Sequence, residues 1–398
     1  MPRSTDELVR ALAGRLRAAA PEAEALRRRL HDRPELAHAE HETSRLVEAR
    51  LGPPDARFGG TGLLYRVGPG ARGVVARAEL DALPIAERTA TRDGGDTPAM
   101  HACGHDVHMA ALVALVEAAR DEPLPVPLWA VFQPSEEAYP SGADLLVRDG
   151  AVDGARAAVG CHVHPDVPWG TLAASPGAVN AACDNFRLRV SGSGGHVAYP
   201  HRTDDPVLAL ADIVTTLHAR LPRRADPLHP VVLGIGELHA GQGPSIVPLE
   251  AHASGTLRTL VEADRAPLRA ALQAIAEPVA AAHGCRADFE FTVGEPVLDN
   301  DERIVAAAGP LTAAAGLEAG PGFRSAGADD FAFLGSVAPL AMAYVGLAGA
   351  PGFTTRPLHH PEFLPPDAAV VQVALGLTVL YAAAVDACAA VTDSPENL

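Results

Sequence analysis

The run Met100-His101-Ala102-Cys103-Gly104-His105-Asp106-Val107-His108-Met109 places three histidines, a cysteine and an aspartate within eight positions. Cys103 and His105 flank a glycine, so a tight turn can aim a thiolate and an imidazole at one point. Those two groups are ligands for zinc and neighbouring transition metals. Taken alone, the run reads equally well as a buried cysteine among surface histidines. Three further clusters of donor residues bear on the choice: Glu136/Glu137, His162/His164 and His359/His360. Each has an ordinary reading by itself, since paired glutamates commonly sit in solvated turns and His-x-His commonly sits on a surface. Four clusters together, following strand-like runs, favour a shared metal site.

The elements that must position them alternate. Residues 6–31 read as two amphipathic helices divided near Pro21, and residues 42–51 as a third. Residues 62–67 and 73–78 read as strands, the second running into Glu79-Leu80-Asp81. A helix at 110–120 follows the Cys103 turn. Residues 126–132 form an apolar strand stopped by Gln133-Pro134-Ser135-Glu136-Glu137. A helix over 143–149 leads to a strand at 157–161 that ends in His162-Val163-His164-Pro165. This rhythm predicts an α/β layer with a mainly parallel sheet, whose carboxyl edge is where sites form. Near Cys183 the pattern changes. Phe186, Leu188 and Val190 alternate with polar residues, and Val207, Leu210, Val214, Leu217 and Leu221 mark a helix face. Strands at 231–235 and 250–256, a helix at 263–283 and a strand at 287–293 complete a β-α-β-β-α-β order. That order suits an inserted α+β, ferredoxin-like domain. The α/β pattern returns after Asp299, with a strand at 340–345 and the loop Pro357-Leu358-His359-His360-Pro361. The expected boundaries are 1–182 with 298–398 for one domain and 183–297 for the other.

Composition narrows the class. A chain of 398 residues exceeds what one core usually fills, and 48% hydrophobic with 20% charged residues describes a well-packed globule. The net charge of −17 argues against nucleic acid or an anionic membrane as partner. Five scattered cysteines provide no disulfide framework and suit a reducing compartment. The N-terminus lacks the apolar run of a signal peptide, and Asp6 and Glu7 count against a transit peptide. Residues 368–391 are apolar but alanine-rich and broken by Gln372 and Asp386, as in a buried C-terminal helix. A cytoplasmic protein is expected.

These motifs carry a resemblance. His31-Asp32-Arg33-Pro34-Glu35, Ala78 through Pro84, Met100 through His108, Phe132 through Glu137, Gly160 through His164, Gly194-Gly195-His196, Gly255 through Thr259, Asp329-Asp330-Phe331 and Leu358-His359 together resemble the M20 metallopeptidases. The similarity is to their amidohydrolase branch of aminoacylases, hippurate hydrolases and auxin-conjugate hydrolases. It implies a zinc-peptidase-like catalytic domain with an inserted lid and dimerisation domain, and a homodimer formed through the latter. It further implies two divalent metals, zinc or manganese first and nickel or cobalt next, held by Cys103, His105, Glu137, His162 and His359. Glu136 matches the general base, His196 the oxyanion-stabilising histidine, and Arg258 a position that can grip a substrate carboxylate. His101, Asp106, His108, His164 and His360 are left for supporting roles.

The implied reaction is hydrolysis of an amide bond in an N-acyl amino acid or small conjugate. A dipeptidase or carboxypeptidase is the alternative among hydrolases, and a non-catalytic metal-dependent small-molecule binding protein the alternative of another class. Two positions depart from the branch pattern. Ser245 stands where an asparagine usually helps hold the substrate, and Glu79 stands where an aspartate is common.

Overall fold

In the computed structural model, which describes residues 4–89 and 98–392, the N-terminal segment forms helices α1 (Thr5–Ala18) and α2 (Ala20–His31). Pro21 lies in the first turn of α2, where its missing N–H costs nothing, and Ser4 with Glu7 closes a capping box on α1. Helix α3 (His41–Leu51) precedes strands β1 (Ala56–Phe58), β2 (Gly62–Val67) and β3 (Val74–Glu79). Then come α4 (His105–Arg120), β4 (Leu128–Gln133), α5 (Gly142–Arg148), β5 (Ala157–Pro168) and β6 (Thr171–Ala173). Strand β7 (Gly177–Asn180) lies where the chain leaves this unit, and β14 (Leu298–Asn300) where it returns. Helix α8 (Glu302–Ala314), β15 (Glu318–Ala319), β16 (Leu340–Ala348) and α9 (Ala369–Thr392) complete it.

The chain divides into two compact units. One takes the residues up to Val179, Asp299–Arg324 and those from Asp330 onward; the other takes Asn180–Leu298 with Ser325–Asp329. The first is built on an eight-stranded sheet of order β1-β2-β4-β3-β5-β16-β6-β15. Its centre, β4-β3-β5-β16, is parallel, and antiparallel pairs flank it. Every residue of β3 and β4 is buried, as expected for parallel strands covered on both faces. Helix α9 packs against α1, α4 and α8. By length and apolarity alone it could cross a bilayer, but its apolar window is 83% buried within the fold, so it is a core helix.

Strand β5 departs from the expectation that it stops at Cys161. Its parallel register with β16 continues through His162↔Tyr344 and His164↔Gly346, so the histidines lie within the strand and not in a loop after it.

The second unit contains β8 (Ala182–Ser191), the short β9 (Gly195–His196), α6 (Pro206–Arg220), β10 (Val231–Ala240), the short β11 (Ile246–Val247), β12 (Glu250–Thr259), α7 (Glu262–Ala282) and β13 (Arg286–Val293). Its antiparallel sheet has the order β10-β12-β8-β13, the ferredoxin-like arrangement. The buried face of α6 is Leu210, Ile213 and Leu217, with Leu221 just beyond it. Val207, at the helix start, is exposed and not part of that face.

Candidate metal centre

Gly104 makes the turn between Cys103 and His105 possible. It adopts φ +91° as the N-cap of α4, and a Cβ placed there would lie 2.5 Å from Val163 Cγ2. The backbone therefore approaches β5 closely, bringing Cys103 Sγ to 3.4 Å from His162 Nε2.

Two carbonyl oxygens set the orientation of the imidazoles. His105 Nδ1 donates to the Asp81 carbonyl at 2.9 Å, and His162 Nδ1 donates to the Val163 carbonyl at 2.6 Å. A carbonyl can only accept, so each ring carries its proton on Nδ1 and presents Nε2 as a lone-pair donor, the arrangement of metal-ligating histidines. His105 Nε2 is buried, makes no hydrogen bond and lies 3.9 Å from Glu136 Oε2.

The two glutamates leave β4 through Pro134 and Ser135, whose φ of +52° turns the chain sharply. The buried carboxylate of Glu40 accepts the Ser135 amide at 2.8 Å, and Asp81 Oδ2 accepts the Glu137 amide at 2.9 Å. Glu137 Oε1 is buried without a hydrogen bond, 3.3 Å from His359 Nε2. His359 is itself held at φ +64° with its amide on the Ala102 carbonyl at 2.9 Å.

Donor atoms of Cys103, His105 and His162 lie within 4.8 Å of one another, as do those of Cys103, Glu137 and His359, and those of His105, Glu136 and Glu137. All five residues expected to ligate are thus gathered, with Cys103 common to two sets and Glu136 beside them. The residues fit a pair of cations. Buried polar atoms without partners are costly, yet His105 Nε2 and Glu137 Oε1 both point into this cluster.

The electrostatics agree. Burial alone would depress the His105 imidazole, but the carboxylates of Glu79, Asp81 and Glu137 outweigh it and raise it to about 10, so Nε2 carries a second proton whose place a metal ion would take. Such a field favours positive charge at the cluster. His162 is pushed down, first by burial and then by His108.

Behind the cluster, Glu79 accepts from His108 Nδ1 at 2.8 Å and pairs with the buried Arg77, while His108 Nε2 accepts the Val163 amide at 3.1 Å. Glu79 therefore reaches its supporting partners and not the ligand atoms. Arg77 also meets Asp330 at 2.6 Å, tying β3 to the segment before β16.

The other expected site residues lie in the second unit. Strands β9 and β11 pair His196 with Ile246, and the Val197 amide donates to the Ser245 carbonyl at 3.2 Å, so His196 and Ser245 are neighbours. His196 Nδ1 accepts the Ala198 amide at 3.1 Å, which leaves Nε2 as the donor of a neutral ring. Arg258 is on β12, opposite Cys183, and donates to the Ala326 carbonyl at 3.1 Å. Sequence reasoning gave no role to Glu40, and Asp81 entered only as part of a motif. Both act on backbone amides far away in the chain.

Known proteins agree with this picture. The profile of peptidase family M20/M25/M40 matches residues 75–383. An N-acetyl-L-cysteine deacetylase of Bacillus subtilis (strain 168) is 31% identical over 359 residues, which are 87% of this chain and 84% of that protein. An N-acyl-L-amino acid amidohydrolase of Geobacillus stearothermophilus is 35% identical over 294 residues, 70% of this chain and 78% of that one. Among solved structures, the Bacillus subtilis YXEP protein, described as a dinuclear metal binding peptidase from the M20 family, superposes with a TM-score of 0.77 at 28% identity. That match covers 92% of this chain and 98% of its own. The protein described here is therefore a member of the M20/M25/M40 peptidase family.

Proposed function

We propose that this chain hydrolyses the amide bond of an N-acyl amino acid or a similarly small amide conjugate, using two divalent metal ions. The observation that carries the reading is the position of Cys103, whose donor atom is within 4.8 Å of both the His105/His162 pair and the Glu137/His359 pair. The relatives named as deacetylases and amidohydrolases support the substrate class.

Cys103, His105, Glu137, His162 and His359 hold the metals, zinc or manganese first and nickel or cobalt next. When bound, such a pair supplies an acidified water and polarises the scissile carbonyl. The chain's own residues do the rest. Glu136, beside His105, takes the proton of the attacking water and returns it to the departing amine nitrogen. His196 offers its Nε2–H to the developing oxyanion, and Arg258 and Ser245 bind the substrate's carboxylate end. Ser245 has no amide donor, so this grip depends on Arg258 more than in relatives with asparagine there.

The protein acts as a homodimer through the inserted unit. Strand β10 is an edge strand of that unit and exposes Val232 and Leu238, and Ile246 on β11 and Leu249 after it are exposed as well. Light scattering at micromolar concentration checks the oligomeric state. We place the enzyme in the cytoplasm; no disulfide joins any of its five cysteines, all of which lie among the described residues.

The test is Glu136→Gln. Turnover of N-acyl amino acids is expected to disappear while bound metal, measured by elemental analysis, stays near wild type. Full activity in that variant overturns the mechanism.

A further inference from the structure

The parallel strands β3, β5 and β16 share two edges. The metal-type donors lie away from the amino ends of these strands, His162 within β5 and His359 beyond β16. Those amino ends begin at Val74, Ala157 and Leu340. The six residues of β3 separate the two edges by about 20 Å.

At the amino edge lies a cavity of about 250 Å³ lined by Arg72, Arg156, Arg303, Ile304, Pro339 and Cys388, among others. The three arginines come from separate places: just before β3, just before β5 and the first turn of α8. Arg303 is bonded to Asp301 at 2.7 Å. Among the described residues, neither Arg72 nor Arg156 is paired with a carboxylate; Arg72 Nε has only a long contact of 3.4 Å to the Gly154 carbonyl. Burial pushes the thiol of Cys388 up. Arg156, Arg303 and Arg72 all pull it back, and Asp301 is the carboxylate that opposes them. Three arginines thus line one cavity, in a chain whose net charge is −17.

We infer that this cavity binds a small organic oxyanion, its phosphate or carboxylate seated between Arg72 and Arg156 and its apolar part resting on Ile304 and Pro339. Guanidinium forks match both kinds of oxyanion in bidentate fashion, and two forks without carboxylate partners leave that capacity unused. Ala157, Ile304, Pro339 and Ala387 make part of the lining apolar. A purely inorganic ion would therefore leave part of the cavity unfilled. The metal cluster lies away from this amino edge, so this site is distinct from it.

The experiment is isothermal titration of the full-length, metal-loaded protein with inorganic phosphate, phenyl phosphate and phthalate. Phenyl phosphate is expected to bind more tightly than inorganic phosphate, and the phthalate arm separates carboxylate from phosphate preference. The double variant R72Q/R156Q should weaken binding of the preferred probe about tenfold or more while metal content and amide turnover are unchanged. Phosphate held by the metals would bind both proteins alike, so the difference between them reports this cavity. R72Q alone alters an exposed side chain and should weaken binding about threefold, which keeps the test open if the double variant folds poorly. Equal affinity in wild type and variants, or no saturable binding of any probe at millimolar concentration, overturns the inference.

Discussion

Asp81 and His105 are joined through the main chain: the carbonyl of Asp81 accepts His105 Nδ1–H at 2.9 Å, while the carboxylate of the same residue accepts the amide of Glu137 at 2.9 Å. One residue thus orients an imidazole and a carboxylate that reach the cluster from α4 and from the turn after β4. Asp81→Ala keeps the carbonyl bond to His105 but removes the brace on the Glu137 amide, together with the carboxylate 3.6 Å from His105 Nδ1. We expect metal affinity to fall about 10- to 100-fold, the usual cost of losing such a supporting contact. Competition with a chromophoric chelator measures it, and an affinity equal to wild type would show that Glu137 needs no such brace.

Gly104 offers a sharper test of the turn itself. Gly104→Ala must place a methyl 2.5 Å from Val163 Cγ2 at a φ of +91°. Strain and overpacking together should cost about 2–4 kcal/mol of stability. Because Cys103 and His105 flank the residue, bound metal should fall as well. Denaturant unfolding paired with elemental analysis reads both effects, and loss of stability with full metal occupancy would separate the turn from the cluster.

Much of the cluster was legible because its donors occur in short motifs that follow apolar runs. Glu136-Glu137 announces a turn after β4 and Cys103-Gly104-His105 a turn at the start of α4, and the carboxyl edge of a parallel sheet gathers such turns. The extent of β5 was less legible. Nothing local to His162 says that the register with β16 continues past it; that depends on residues near Tyr344, far along the chain. Glu40 was illegible for the same reason. It sits in Ala-His-Ala-Glu-His with no motif around it, yet it is fully buried and holds the Ser135 amide across 95 positions. In the inserted unit the β-α-β-β-α-β order was readable, but Val207 was assigned to the buried face because spacing alone does not tell which end of an apolar stripe frays into solvent.

Asp184 gives a pH dependence in the inserted unit. Burial would raise its carboxyl, but hydrogen bonds from Arg265 at 2.6 Å and Arg269 at 2.6 Å outweigh that and hold it below the usual range. A depressed folded-state value contributes stability that is complete above the unfolded value, about 3.9, and is lost as pH falls through the folded one. Asp184→Asn should therefore destabilise the protein by about 3–5 kcal/mol at pH 7, leaving the buried Arg265 poorly compensated. The gap between variant and wild type should narrow below about pH 4. Urea unfolding at pH 7 and in mild acid checks the sign, and a gap that widens in acid contradicts it.

His196 is the last group that can be separated from metal binding. Its Nδ1 accepts the Ala198 amide at 3.1 Å, so the neutral ring holds a proton on Nε2 and can donate without changing charge. If that donor meets the oxyanion, His196→Ala should lower kcat by about 10²- to 10³-fold, the scale of losing one such hydrogen bond. KM for an N-acyl amino acid should change little, since the charge it answers is absent from the ground state. Metal content should stay at the wild-type level, because His196 is not among the gathered donors. His196→Gln, which retains an N–H on a shorter arm, should recover part of the lost rate. A variant that loses metal along with activity would make His196 a structural residue, and one that raises KM with kcat intact would move it to substrate binding.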